Sequence, residues 1–193
     1  MNITLWHGGR DLEYNYREYS GSKKGRWEHG PGLYLTTHYD RARQYSKGNG
    51  STYKVNVECN NNIKDVIIPV EAINEFINRH VIKSKQKELL EDVYSNIERM
   101  KRPGIIAENF LNLIINLNAI QNTNTIVLNK FLVEHNVDYG LVKRYGGREE
   151  DVVIIFNNKC IKSVNKITAK DVIKDDYEII IFNEDKSNIK KSI

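Results

Sequence analysis

Cysteine and proline are scarce in this 193-residue chain, at two and three residues. Cys59 and Cys160 form no Cys-x-x-Cys pair and have no histidine near them in sequence, which excludes a disulfide-stapled scaffold and argues against a zinc site, so no metal is expected. Long hydrophobic runs are missing too. The longest, Val152 to Phe156 and Ile179 to Phe182, are strand-sized and far short of the ~18–20 residues that cross a bilayer. Met1 to Trp6 carry no basic segment followed by a long apolar stretch, so no secretory leader and no membrane partner are expected. A reduced, cytoplasmic setting is the expectation.

What is present suits a folded domain. Hydrophobic residues make up 40% and charged residues 28%, enough for an ordinary core and too apolar for a disordered tail. The length corresponds to one domain, expected over residues 1–183, with a basic tail at 184–193. Net charge is +4 and the sequence pI about 8.9, compatible with a nucleic-acid or nucleotide partner without demanding one. The basic residues cluster: Arg17, Lys23, Lys24 and Arg26, then Arg41, Arg43, Lys47 and Lys54, then Lys143, Arg144 and Arg148.

Periodicity divides the chain into three stretches. Ile3 to His7 reads as a strand stopped by Gly8-Gly9, Gly32 to Thr37 as a second strand, and Tyr53 to Glu58 as a third with alternating polarity. Residues 10–30 are polar, too long for a tight turn, and are expected to form a functional loop. A short helix is expected over Asp40 to Lys47, with Thr37 or Asp40 as its cap. Between about 70 and 120 the apolar spacing changes to three and four, giving about three amphipathic helices broken near Ser84 and at Arg102-Pro103-Gly104. A fourth helix carries Ile126, Leu128, Phe131 and Leu132 and ends near His135-Asn136, with Asn136 as a left-handed cap. Strands return at Gly140 to Lys143, Asp151 to Phe156, Ile161 to Ile167 and Tyr177 to Phe182. The fold class is therefore α+β, with a sheet assembled from both ends of the chain around a helical middle.

Three early motifs carry candidate chemistry. Trp6-His7-Gly8-Gly9 places an imidazole at a strand end beside bare backbone, where a ligand can approach closely; a purely structural histidine is the alternative. Gly30-Pro31-Gly32-Leu33-Tyr34-Leu35 turns into a strand that presents Tyr34, either to a ligand or to the core. Ala42-Arg43-Gln44-Tyr45 sets another tyrosine on the short helix, which could equally pack on the sheet. Late in the chain, Glu149-Glu150-Asp151 enters an apolar strand and reads either as a catalytic acid in place or as a solvated charge run.

Together these motifs resemble the ADP-ribosyltransferase superfamily in its His-Tyr-Glu branch, the diphtheria-toxin and poly-ADP-ribose-polymerase group. The late Tyr139-Gly140-Leu141 and Glu149 to Asn157 segments are similar to the endings of its bacterial and phage toxin-like members. The resemblance covers residues 3–58 and 126–167 and implies a split-sheet core with a helical insertion at about 70–120. It further implies that NAD is the substrate and that no metal is used. In that reading Gly8 backbone bonds the nicotinamide carboxamide, His7 holds a ribose hydroxyl, and Tyr34 and Tyr45 stack on the nicotinamide ring. A late carboxylate bonds the nicotinamide ribose and stabilises the positive charge that develops as the glycosidic bond breaks. The family places this acid about four residues before the strand's aromatic, where this chain has Val152. Glu150 shares Val152's face by strand alternation and is the first choice, Glu149 the second; a bulge at Gly146-Gly147 would upset that parity. Arg10, Arg26 and Trp27, in the loop between the first two motifs, are the candidates for phosphate and base contacts.

His7 in place of arginine, and adjacent rather than spaced glutamates, argue against the arginine-modifying branch. Basic clusters interleaved with Tyr14, Tyr16, Tyr19 and Trp27 favour a nucleic-acid acceptor, DNA or RNA, as for an effector of a toxin–antitoxin or phage-defence system. A protein acceptor, an NAD glycohydrolase and a non-catalytic NAD- or ADP-ribose-binding module are the alternatives. The toxin-like resemblance also implies a neutralising antitoxin protein as partner.

Overall fold

The computed structural model describes residues 1–9, 12, 28–46, 50–121, 125–147 and 149–167. Among the described residues, eight strands and five helices make an α+β arrangement. The main sheet contains β1 (Asn2–Gly9), β2 (Leu33–Thr36), β3 (Ser51–Glu58), β6 (Tyr139–Val142), β7 (Val152–Ile155) and β8 (Ile161–Ile167), in the order β6-β7-β2-β1-β3-β8. Neighbouring strands are antiparallel throughout, so the sheet is built from both ends of the chain as the periodicity predicts. The expected strand at 177–182 and the tail lie outside the described residues.

One junction in this sheet differs from the others. β1 and β3 pair along eight residues, from Asn2 opposite Glu58 to Gly9 opposite Ser51, and β2 and β7 pair along four. Between β1 and β2 the register holds a single pair, Trp6 opposite Thr36. Beyond that pair the two strands diverge, and a cleft opens in the middle of the sheet.

The helical middle packs on one face. α2 (Val70–His80), α3 (Lys83–Met100) and α4 (Ala107–Asn116) follow the three predicted periodic stretches, and α5 (Thr125–Glu134) the fourth. Ile73, Phe76, Ile77, Leu89, Phe110, Ile114, Leu128 and Leu132 form one core with Val152, Ile154 and Phe156 of the sheet. Alternate residues of the same strand, Val153 and Ile155, join Leu5, Leu35, Val55 and Val57 on the opposite face. β7 is thus buried on both faces, which is why it reads as an unbroken apolar run rather than an alternating one. No helix is long and apolar enough to cross a membrane among the described residues.

Some boundaries differ from expectation, for identifiable reasons. α2 ends at His80 and α3 starts at Lys83, so the break expected near Ser84 falls at Val81-Ile82. A two-stranded ribbon, β4 (Ile67–Pro69) with β5 (Gly104–Ile106), also precedes α2 and α4; three-residue strands leave too short a pattern to read. The short helix α1 (Tyr39–Tyr45) is capped by His38, not by Thr37 or Asp40. Thr37 is engaged elsewhere: its hydroxyl accepts from the Asp151 amide at 3.1 Å and lies 2.8 Å from His38 Nδ1. Asn136 does adopt the left-handed conformation, with φ of 62°.

Asp138 closes the sheet at the far end of β7. Its carboxylate accepts from the Asn60 and Asn61 amides at 3.0 and 3.1 Å and from Asn157 Nδ2 at 2.8 Å. Burial alone would raise its pKa, but these donors outweigh it and hold the carboxyl below the ordinary carboxylate value. Nearby, Cys59 and Cys160 are buried free thiols; hydrogen bonding to Cys59, then burial, pushes the Cys160 thiol up.

Candidate functional site at the sheet cleft

Where β1 and β2 diverge, His7 reaches across to Tyr34. Its Nδ1–H donates to the Tyr34 carbonyl at 2.9 Å. Since Nδ1 must carry a proton to donate there, Nε2 of the neutral ring is an acceptor. Burial pushes the imidazole pKa below its ordinary value, and the Tyr34 carbonyl opposes this only in part. His7 is thus a neutral ring spanning the cleft, and Gly9 makes room for it. A Cβ at Gly9 would stand 2.5 Å from His7 Nε2.

Gly8, which lines the cleft, also carries a packing role. A Cβ there would lie 1.7 Å from the Ala42 carbonyl oxygen, so the missing side chain is the seat on which α1 packs. Close packing of helix on strand brings the far end of α1, with Tyr45, over the cleft.

A cavity of about 200 Å³ occupies this position, lined by His7, Gly8, Tyr34, Thr36, Tyr45, Tyr145 and neighbouring apolar residues. Tyr34 is locked from both sides: its hydroxyl donates to the Gly30 carbonyl at 2.9 Å and accepts from the His29 amide at 3.1 Å. The ring therefore presents a fixed face, with no conformational freedom left in its polar end.

Glu150 reaches the cavity through Tyr45, which lines it. Glu150 is 1% exposed, and the Tyr45 hydroxyl lies 3.1 Å from each of its carboxylate oxygens. Arg41, one turn before Tyr45, places Nε 4.0 Å from Glu150 Oε2. Glu149 is exposed, whereas Asp151 is buried and accepts from the Arg144 amide at 2.9 Å. The three acids thus do not form a solvated run. Gly146 and Gly147, with φ of 63° and 74°, lie in a tight turn ahead of β7 rather than in a bulge within it.

The structure accordingly lines one cleft with His7, Gly8, Tyr34 and Tyr45, joins Glu150 to it through the Tyr45 hydroxyl, and leaves Glu149 exposed. Arg10, Arg26 and Trp27 lie outside the described residues, as do Tyr14, Tyr16 and Tyr19. Two residues at the site were not singled out from sequence. Tyr145 lines the cavity because the turn at Tyr145–Gly147 folds back, its amide donating to the Glu150 carbonyl at 2.7 Å. An aromatic beside two glycines just ahead of the candidate acid was the signal available for it. Arg41 is the other, visible only as a member of a basic cluster. Among the described residues there is no group of three His, Cys, Asp or Glu side chains placed to hold a metal ion.

No family model matches the chain, and no curated protein does. A solved structure described as "Crystal structure of an anti-CRISPR protein" aligns over 86% of this chain and 96% of its own, with 11% identity and a TM-score of 0.37. A likeness of that degree carries no argument about fold or function.

Proposed function

We propose that the chain is an NAD-dependent mono-ADP-ribosyltransferase with an ADP-ribosyltransferase-like core, and that it transfers ADP-ribose to a nucleic-acid base. The observation that carries this reading is the convergence, at one cleft, of a neutral histidine, two tyrosines and an enclosed carboxylate drawn from opposite ends of the chain. Their chemistry fits the pyridine end of NAD. A 200 Å³ cavity is smaller than the ~300–1,000 Å³ of sites that enclose a whole drug-sized ligand, so it suits a flat ring with part of its ribose. The remainder of the dinucleotide would extend beyond it, and Arg10, Arg26 and Trp27 are the sequence's candidates to contact it. The tyrosine rings supply stacking surface, and His7 Nε2 an acceptor for a sugar hydroxyl. Glu150 supplies fixed negative charge where positive charge develops as the ribose–nicotinamide bond breaks.

The nucleic-acid acceptor rests on the basic and aromatic sequence of residues 10–30, and with it the reading as a toxin-like effector restrained by a neutralising protein. A second reading, a module that binds without turnover, has one observation in its favour: both Glu150 oxygens are already engaged by Tyr45.

Labelled NAD incubated with the protein and with RNA, DNA or lysate protein separates the readings. Label on nucleic acid supports the proposal, label on protein moves the acceptor, and free ADP-ribose alone indicates a glycohydrolase. Intact NAD in every mixture overturns the enzyme reading. Glu150→Gln should bind NAD and lose about 10²–10³-fold in turnover, the scale for removing one oriented electrostatic stabiliser; Glu149→Gln should stay near wild type.

A further inference from the structure

A carboxylate that is 1% exposed needs more than one neutral hydroxyl to offset the loss of its hydration. The Tyr45 hydroxyl has one proton, shared between the two oxygens at 3.1 Å each. Arg41 supplies the opposite charge from the same helix. Residues four apart lie on one helical face, so Arg41 and Tyr45 approach Glu150 together from α1. The distal end of the guanidinium is held by its own tether, Nη1 donating to Gln44 Oε1 at 2.9 Å. That tether directs Nε toward Glu150 while leaving the side chain 31% exposed.

We propose that Arg41 is a positioning residue, which with Tyr45 fixes the Glu150 carboxylate in the orientation that meets the substrate. The assignment rests on the NAD-cleaving reading of Glu150. The geometry fits holding rather than neutralising. At 4.0 Å the Arg41 contact is electrostatic, not a close hydrogen bond, and Tyr45's single proton is divided. An ionised carboxylate has about four acceptor sites, so Glu150 is restrained yet keeps capacity for a ligand hydroxyl. The role depends on charge more than on a forked hydrogen bond, and lysine should therefore replace arginine in large part.

The test uses the full chain and two readouts. In steady-state NAD turnover, Arg41→Gln should lower kcat about tenfold while KM for NAD stays within about twofold, at the low end of the ~10–100-fold seen when a supporting contact is removed. Arg41→Met, which keeps the aliphatic stem, should match it, and Arg41→Lys should return kcat to within about threefold of wild type. Gln44→Ala should cost less than Arg41→Gln. Wild-type kcat in both neutral variants, or a loss that lysine does not restore, overturns the proposal. The second readout needs no NAD: thermal unfolding of Arg41→Gln, Glu150→Gln and the double variant. Non-additive shifts support the Arg41–Glu150 coupling, and additive shifts overturn it. If no NAD is consumed by any protein, the proposed function fails while the unfolding cycle still decides on Arg41.

Discussion

Replacing Gly8 with alanine separates two explanations of the same glycine. If Gly8 exists to let a ligand reach the backbone, the added methyl blocks the ligand and leaves the fold alone. If it exists to seat α1, the methyl strikes the helix. The structure favours the second, because the new Cβ would lie 1.7 Å from the Ala42 carbonyl oxygen and 2.9 Å from the Ser46 amide nitrogen, both of them backbone atoms. No side-chain rotation relieves a backbone clash. To bring the first contact to 3.0 Å the helix must retreat by more than an ångström. Overpacking of this kind costs about 1–3 kcal/mol, more than the few tenths to ~1 kcal/mol that alanine gains by restricting the unfolded chain. A net loss of about 2 kcal/mol in a chain of this size lowers Tm by roughly 4–8 °C. The same retreat carries Tyr45 away from Glu150, where the present separation of 3.1 Å leaves little margin, so NAD turnover should fall together with Tm. Differential scanning calorimetry and the turnover assay, run on one preparation, give both numbers. A Gly8→Ala protein with wild-type Tm but no NAD binding would refute the seating argument and return Gly8 to the ligand.

Asp138→Ala should destabilise by about 2–4 kcal/mol in urea unfolding, since it leaves the Asn60 and Asn61 amides and Asn157 Nδ2 without their acceptor at a largely buried site; Asp138→Asn, which keeps one oxygen, should cost less. Because folding lowers the Asp138 pKa, its contribution is present at neutral pH and is lost as pH falls through the folded value, and equal acid sensitivity in Asp138→Asn would contradict this. His7 acts with opposite charge but the same slope. The unfolded chain takes up its proton near the ordinary pKa of about 6.5, the folded ring only at lower pH, so stability falls as pH drops below about 6.5 and levels off once the folded ring is protonated. Urea midpoints from pH 7.5 to 5 should therefore decline more steeply for wild type than for His7→Gln, and parallel curves would show that the ring is not buried in neutral form.

The legible part of this protein is the part written in local periodicity. Four helical stretches and the strands at Ile161 to Ile167 and around Leu33 to Thr36 announced themselves because burial on one face repeats at fixed spacing. The choice of Glu150 over Glu149 used the same rule across a strand boundary; in the structure Glu150 meets Tyr45 of α1 and Val152 lines the cavity. What stayed hidden depends on distances between remote segments. Thr37 looked like a helix cap because its neighbour in sequence is a helix, but its partner is Asp151. The contact of Gly8 with α1 was not legible because that helix begins about thirty residues later in the chain. Nothing about Tyr145 in isolation reveals that its turn closes onto the Glu150 carbonyl.

These misses share a cause that bears on how the site works. The main sheet could have continued from β1 into β2, and the single Trp6–Thr36 pair shows where it stops doing so. Past that point the His7 imidazole reaches across to the Tyr34 carbonyl, and a helix seated on a bare glycine forms the wall. Both features bring side chains with chemistry to the opening. The same opening exposes the Tyr34 ring, and the turn before β7 closes the other wall with Tyr145. A change that restores pairing between β1 and β2 should therefore shrink the cavity and strengthen the sheet at once, so stability and ligand binding at this cleft should move in opposite directions. His7→Val tests that trade: a β-branched residue favours the strand and cannot bond the Tyr34 carbonyl by its side chain. Tighter β1–β2 pairing with loss of NAD binding, read as slowed amide exchange at Gly8 and Tyr34, is the expected result. Unchanged exchange with unchanged binding would mean that the cleft is held open by α1 alone.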